Sequence, residues 1–146
     1  MVDAGSSALV MVADDDRGFR EAVRDVLVDE GFRVTEASNG TEAVAIAGQA
    51  SPDVVLMDLR MPGVNGIEAT RLIREAFSVV QVIMLSAYDE PAFRRGAEDA
   101  GAYGYLEKGC PPSMVLEMVR VAAAYKPGLE AGTPNASPNR AGQKSG

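Results

Sequence analysis

Apolar and polar residues alternate along the chain in two kinds of segment. Short runs dominated by apolar residues predict five β-strands: LVMVA (9–13), RVTEA (33–37), VVLMD (54–58), VIMLS (82–86) and GYLEK (104–108). The segments between them repeat apolar residues every three or four positions, which predicts helices over about 18–30, 41–49, 67–76, 91–100 and 112–125. Five strand–helix units indicate an α/β fold, with a five-stranded parallel sheet covered by helices on both faces.

The helix patterns also predict which residues face inward and how some helices begin. Asp16 is expected to cap the first helix and Asn39 the second, with Glu42 reaching back to complete a reciprocal cap. The polar residues of RVTEA favour an exposed edge strand. The residues expected to form buried stripes are Phe19, Ala22, Val23, Val26 and Leu27 in the first helix, and Met114, Val115, Met118, Val119 and Ala122 in the last.

Polar residues follow four of the five strands, at the sheet edge where such folds hold their ligands. They are Asp14, Asp15 and Asp16 after the first strand, Asp58 at the third, Ser86 at the fourth and Lys108 at the fifth. Crowded carboxylates repel one another, and a hard divalent cation such as Mg²⁺ relieves that repulsion. A hydroxyl and an ammonium beside the metal suit a phosphoryl group. The pattern therefore predicts phosphoryl transfer to Asp58.

Four motifs carry a resemblance to a known family: VADDD (12–16), VVLMDLRMPGVNGIEA (54–69), VIMLSAYDE (82–90) and GAYGYLEKGCPP (101–112). Over roughly residues 9–124 the chain resembles the response-regulator receiver domain of two-component signalling. The second and fourth motifs look most like the NarL/FixJ-type subfamily. The resemblance implies a flavodoxin-like fold, and a phospho-acceptor that catalyses its own phosphorylation and dephosphorylation rather than an ordinary enzyme.

The resemblance also implies a metal site around the acceptor. By motif, Asp15 matches a direct Mg²⁺ ligand and Asp14 a water-mediated one. Asp58 matches the phospho-acceptor and is also a ligand, with the backbone carbonyl of Arg60 as a further one. Pro62 and Gly63, in the loop after the acceptor, are expected to shape that loop.

Further positions match the family's signalling residues. The hydroxyl of Ser86, which stands where Thr is more frequent, is expected to hydrogen-bond the phosphoryl group, and Lys108 to pair with it. Tyr105 matches the aromatic residue that rotates between exposed and buried positions as Ser86 moves. Arg60 and Tyr88, each two residues beyond a site residue, match positions that flank the entry path of the hydrolytic water.

Composition and charge restrict the functions open to the chain. It has 146 residues, one domain's worth, with 14 Lys+Arg against 21 Asp+Glu, a net charge of -7. An acidic chain is unsuited to binding DNA directly. Residues 126–146 differ, with a net charge of +2 and one large apolar residue, Leu129. They are expected to form a disordered tail or linker after a receiver domain spanning residues 8–125.

The sequence contains no histidine and a single cysteine. Any phosphohistidine must therefore come from a partner, which the resemblance identifies as a sensor histidine kinase. No apolar run is long enough to span a membrane and no secretory signal is evident, so we expect a cytoplasmic protein. Self-association as a homodimer is left open.

Two alternatives concern function, and one concerns output. An aspartyl-nucleophile phosphatase would usually need a cap domain and a second Asp at the position of Arg60, and the chain has neither. A pseudo-receiver would lack an acid, the acceptor or the lysine, all of which are present. The output could be a single-domain regulator acting by protein contact, or transcription through a DNA-binding domain outside this chain.

Overall fold

The computed structural model describes residues 8–125. Its strands are β1 (Leu9–Ala13), β2 (Arg33–Ala37), β3 (Val54–Met57), β4 (Gln81–Ser86) and β5 (Gly104–Glu107). Its helices are α1 (Arg17–Asp29), α2 (Gly40–Ala50), α3 (Gly66–Ala76), α4 (Pro91–Asp99) and α5 (Pro112–Ala124). The predicted α/β fold is confirmed, and each element lies within one residue of its predicted bounds. The tail predicted for residues 126–146 lies outside the described residues.

All neighbouring strands of the sheet are parallel, in the order β2-β1-β3-β4-β5. The chain runs outward from β1 to the edge strand β2 and then crosses back to β3, so the direction of winding reverses between β1 and β3. Ala13 pairs with Met57 at the ends of these strands. Asp14 and Asp58 are the next residues, and both therefore stand at the reversal point, where such sheets form a crevice.

The two faces of the sheet are packed with different side chains. The face covered by α2, α3 and α4 is filled largely by alanines and by Met11, Met57, Met61 and Met84. The face covered by α1 and α5 is filled mainly by branched aliphatic residues such as Val12, Leu56 and Ile83. Unbranched methionine adapts its shape more readily than β-branched side chains. The α2–α4 half of the core is therefore the more deformable one.

The predicted stripe on α1 is only partly buried, and this expectation was wrong in detail. Leu27 is fully buried, but Phe19 and Val23 are half-buried and Ala22 is exposed. The reason is that α1 and α5 do not close upon each other beside the site. An open cavity of about 150 Å³ remains between them, and its lining runs from these α1 residues to Lys108.

Met114, expected to face inward, is 48% exposed. The buried residues of α5 are Val115, Val119, Ala122 and Ala123, so the inward face is rotated away from Met114. Met118 is half-buried as a neighbour of Gly104, where a β-carbon would stand 2.5 Å from the Met118 sulfur. Among residues 8–125, no helix is long and apolar enough to cross a membrane.

Side-chain caps begin α1 and α2 as expected, with one difference. Asp16 accepts a hydrogen bond from the Phe19 amide (3.1 Å), and Asn39 accepts one from the Glu42 amide (2.8 Å). Glu42 does not return a bond to Asn39; its carboxylate accepts from the Ser38 amide at 2.6 Å. Asn39 itself has extended backbone angles (φ -158°, ψ 171°).

Candidate functional site

Three charged side chains from different strand ends form the centre of the site. The Lys108 ammonium lies 2.7 Å from Asp14 Oδ2 and 3.4 Å from Asp58 Oδ1. Asp14 and Asp58 are only 2% and 6% exposed. Backbone amides hold both carboxylates in place, since Asp14 Oδ1 accepts from the Asp16 amide and Asp58 Oδ1 from the Leu59 amide, each at 2.9 Å.

Asp15 completes a cluster that could hold a metal ion. One carboxylate oxygen from each of Asp14, Asp15 and Asp58 lies within 4.8 Å of the others. Asp15 is exposed, so the cluster faces solvent on one side. Hard oxygen donors with room for water on one side fit Mg²⁺, which keeps several waters when it binds to proteins. One lysine facing several carboxylates also leaves negative charge for a cation to neutralise.

The surroundings of Asp58 and Lys108 shift the pKa values of both groups. Burial, reinforced by repulsion from Asp14, raises the pKa of Asp58 to about 6, although Lys108 and the Leu59 amide oppose the shift. Burial alone would lower the pKa of Lys108. Its hydrogen bond and attraction to Asp14, together with those to Asp58, outweigh that effect, and the pKa is raised. Lys108 therefore remains a cation, whereas Asp58 keeps its proton to a higher pH than an ordinary carboxyl group.

The loop after Asp58 is held by backbone contacts that only glycine permits. A β-carbon on Gly66, the first residue of α3, would stand 1.9 Å from the Asp58 carbonyl oxygen. A β-carbon on Gly40, which begins α2, would stand 1.9 Å from the Val64 carbonyl oxygen. Two helix starts therefore press against the β3–α3 loop from either end, and Gly63 turns within it at φ +77°. Asp58 is therefore followed by a closely confined loop.

Ser86 and Tyr105 are linked through the backbone of a residue between them in space. Ser86 is fully buried, and its hydroxyl accepts a hydrogen bond from the Tyr88 amide at 2.9 Å. Tyr105 donates its phenolic hydrogen to the Tyr88 carbonyl at 2.5 Å. One residue of the β4–α4 loop therefore bonds both to the predicted phosphoryl-binding hydroxyl and to the predicted switch aromatic. Sequence reasoning missed this backbone link.

Two arginines stack on aromatic rings at the rim of the site. The Arg60 guanidinium carbon lies 4.7 Å from the centre of the Tyr88 ring and 5.6 Å from that of Phe93. The Arg94 guanidinium carbon lies 4.7 Å from the Tyr105 ring centre. Tyr88 and Phe93 meet edge to face, with ring centres 6.0 Å apart. Phe93 was not predicted to take part in the site.

The chain is similar to known proteins in both sequence and fold. The sequence pattern of the response regulator receiver domain matches residues 10–120. The chain belongs to this family. The predicted resemblance is thereby confirmed, and the order of strands and helices described above is that of a receiver domain.

Individual relatives agree with this assignment. Response regulator UvrY from Escherichia coli K12 is 41% identical over 113 residues, covering 76% of this chain and 52% of UvrY. Transcriptional regulatory protein DegU from Brevibacillus brevis is 37% identical over 116 residues, covering 78% and 49%. The solved receiver domain of response regulator NarL from Mycobacterium tuberculosis has a TM-score of 0.76 at 34% identity, covering 80% of this chain and 96% of that domain. The NarL/FixJ-type kinship is confirmed, and the chain spans about half the length of these curated relatives.

The raised pKa of Asp58 predicts how the stability of the metal-free receiver depends on pH. A carboxyl with a pKa of about 6 when folded and about 4 when unfolded favours folding below pH 4, and this contribution is lost as the pH rises through 6. Asp58→Asn has no carboxyl group to ionise at this position, so its stability should not fall in this way. In EDTA, the variant's free energy of unfolding should therefore match the wild type near pH 4 and exceed it by about 1–3 kcal/mol at pH 7.5.

Urea denaturation at both pH values measures this difference. Asp25→Asn is the matched control, because Asp25 is an exposed carboxylate on α1 whose partner is the neighbouring Arg24. Equal stability of wild type and Asp58→Asn at pH 7.5 would contradict the raised pKa of Asp58.

Proposed function

We propose that this receiver domain accepts a phosphoryl group on Asp58 in a Mg²⁺-dependent reaction and changes conformation in response. The observation that carries the proposal is the convergence of three carboxylates and Lys108 at the point where the sheet winding reverses. In the transfer, an Asp58 carboxylate oxygen bonds to phosphorus. The bond from phosphorus to the donor nitrogen breaks, and its electron pair leaves with the donor imidazole.

The other residues of the site would bind the metal ion and the phosphoryl group. Asp14, Asp15, Asp58 and the Arg60 carbonyl would hold the Mg²⁺, which when bound supplies positive charge against the phosphoryl oxygens. Lys108 already lies beside Asp58, so its ammonium can neutralise the charge on a further phosphoryl oxygen without moving far. The Ser86 hydroxyl donates a hydrogen bond to the phosphoryl group. The site would thus bind and stabilise the transferred group with little rearrangement of its side chains.

The phosphoryl donor is expected to be a histidine kinase. The sequence has no histidine, so a phosphohistidine donor must belong to a partner. The half-open apolar cavity between α1 and α5 reaches Lys108, and a donor helix lying there would stand next to the acceptor. Apolar burial beside the site would then hold the donor in place while the charged groups receive the phosphoryl group.

The output of the receiver is inferred from its relatives. UvrY and DegU are regulators about twice as long as the matched region, and DegU is named a transcriptional regulatory protein. We therefore infer that phosphorylation here controls transcription through a DNA-binding domain outside this chain. The net charge of -7 makes direct DNA binding by the receiver itself unfavourable.

Metal-dependent labelling tests the proposal. With acetyl phosphate and Mg²⁺, the protein should gain one phosphoryl group, detected as a single mass increment. EDTA should reduce the rate at least about a hundredfold, because removal of the cation leaves the carboxylates and the incoming phosphoryl oxygens repelling one another. Adding Mg²⁺ in excess over the EDTA should restore labelling. Labelling at an unchanged rate in EDTA would rule out a metal-assisted transfer.

Ser86→Ala tests the conformational response. The variant keeps the acceptor and the carboxylates, so it should still be labelled. It loses the hydroxyl that binds the Tyr88 amide, and with it the path from the phosphoryl group to Tyr105. The phosphorylation-induced NMR shift of the Tyr105 ring should fall to less than about half. A full wild-type shift in Ser86→Ala would show that coupling runs through another residue.

A further inference from the structure

Arg60 connects two loops beside the site. Its backbone lies in the β3–α3 loop, two residues after Asp58, where its carbonyl is proposed to face the metal. Its side chain leaves the loop and stacks on Tyr88, in the β4–α4 loop, and on Phe93, in the first turn of α4. The edge-to-face contact between the two rings makes the three side chains one cluster, which we name the Arg60 clamp. The clamp joins the acceptor's loop to a helix that starts over 30 residues later.

The start of α4 is held by two side chains and by no side-chain cap. Phe93 belongs to the Arg60 clamp, and Arg94 lies over the Tyr105 ring and pairs with Asp89. Glu90, the residue before α4, makes no side-chain cap. Within α4 the buried residue is Ala97, in the C-terminal half, where Gly96 also approaches the Ile67 side chain of α3 closely. In the N-terminal half, Phe93 is half-buried while its neighbours on either side are exposed. The position of the helix start therefore depends on the contacts of Phe93 as well as on those of Arg94.

We propose that the Arg60 clamp couples metal binding at the acceptor site to the position of the start of α4. This rests on the proposed function, since it takes the Arg60 carbonyl as a metal ligand. A guanidinium stacked on two rings restricts its own backbone, so the clamp holds the loop ready for the ion. By linkage, the ion in turn stabilises the clamp and the helix start. The route differs from the hydrogen bonds of Ser86 and Tyr105, because it needs no phosphoryl group.

Mg²⁺ titration followed by NMR tests the coupling in the full chain without phosphorylation. In the wild type, the amides of Leu59 and Phe93 should shift with one apparent affinity. In Arg60→Ala the backbone carbonyl remains, so the Leu59 shift should persist while the Phe93 shift falls to less than about half. Phe93→Leu should weaken Mg²⁺ binding about two- to fivefold, the change that one exposed cation–aromatic contact supplies.

Arg95→Ala is the matched control, because it removes an exposed arginine from the same helix outside the clamp. It should leave the Mg²⁺ affinity and the Phe93 shift at wild-type values. A Phe93 shift of full size in Arg60→Ala, or an unchanged affinity in Phe93→Leu, would overturn the coupling while leaving the metal site intact. Absence of any Mg²⁺-dependent shift at Leu59 in the wild type would instead overturn the proposed metal site, and the coupling with it.

Discussion

Asp58→Asn is expected to lower the rate of phosphoryl incorporation at least about a thousandfold, the largest effect of any single change. The carboxylate oxygen is the nucleophile, and an amide of the same shape carries no negative charge to attack phosphorus. The side chain should still occupy its buried position, since its oxygen can accept from the Leu59 amide as Asp58 does. Loss of labelling would then reflect chemistry rather than misfolding.

Quantitative mass spectrometry with acetyl phosphate and Mg²⁺ measures this loss. Asp25→Asn, which changes an exposed acid on α1, should be labelled like the wild type. Peptide mapping should place the wild-type phosphoryl group on residue 58. A phosphoryl group on Asp15, or undiminished labelling of Asp58→Asn, would remove Asp58 from its proposed role.

Lys108→Met is expected to lower the free energy of unfolding by about 2 kcal/mol in metal-free buffer at pH 7.5. The substitution keeps an unbranched apolar stem against the Phe19 ring, which the lysine ammonium overlies at 4.4 Å. It removes the only cation within salt-bridge distance of Asp14 and Asp58 among the described residues. Two nearly buried carboxylates are then left facing each other.

Mg²⁺ should reduce this loss of stability, because the bound cation replaces part of the missing charge. Asp58→Asn in the Lys108→Met background should also recover stability, since only one buried carboxylate then remains. Arg95→Met serves as the control for loss of a surface cation and should change stability by less than about 0.5 kcal/mol. A Lys108→Met protein as stable as the wild type in EDTA would show that the carboxylates do not depend on the lysine.

The sheet and the central residues of the site could be predicted because they follow from local signals. Apolar runs such as VVLMD are buried on both faces and have few alternatives to a central parallel strand. Parallel strands then bring their carboxyl ends together whatever the intervening helices do, which is why Asp14, Asp58 and Lys108 meet. Helix starts at Asp16 and Asn39 were predictable for the same reason, since a cap depends on residues three positions away.

Burial on helix faces and contacts between loops could not be predicted in the same way. Ala22 and Met114 have the spacing of buried residues, but their exposure is decided by how closely α1 and α5 approach. The contact of Arg60 with Phe93 joins loops whose paths depend on glycine backbone angles and on close contacts such as that of Gly66. Hydrophobic periodicity does not predict such contacts between loops, because each contact depends on the positions of two loops at once.

The methionines on the two faces of the sheet differ in how accessible they are to an oxidant. The four buried methionines of the α2–α4 face are 0–8% exposed, and Met61, at 8%, is the most accessible of them. Conversion of a thioether to a sulfoxide would place a polar oxygen among alanines with few hydrogen-bond donors. Peroxide should therefore reach Met114, which is 48% exposed, and the half-buried Met118 on α5 first. The methionines beneath α2–α4 should be oxidised only when the molecule opens, so their oxidation would report how often that half of the core unfolds.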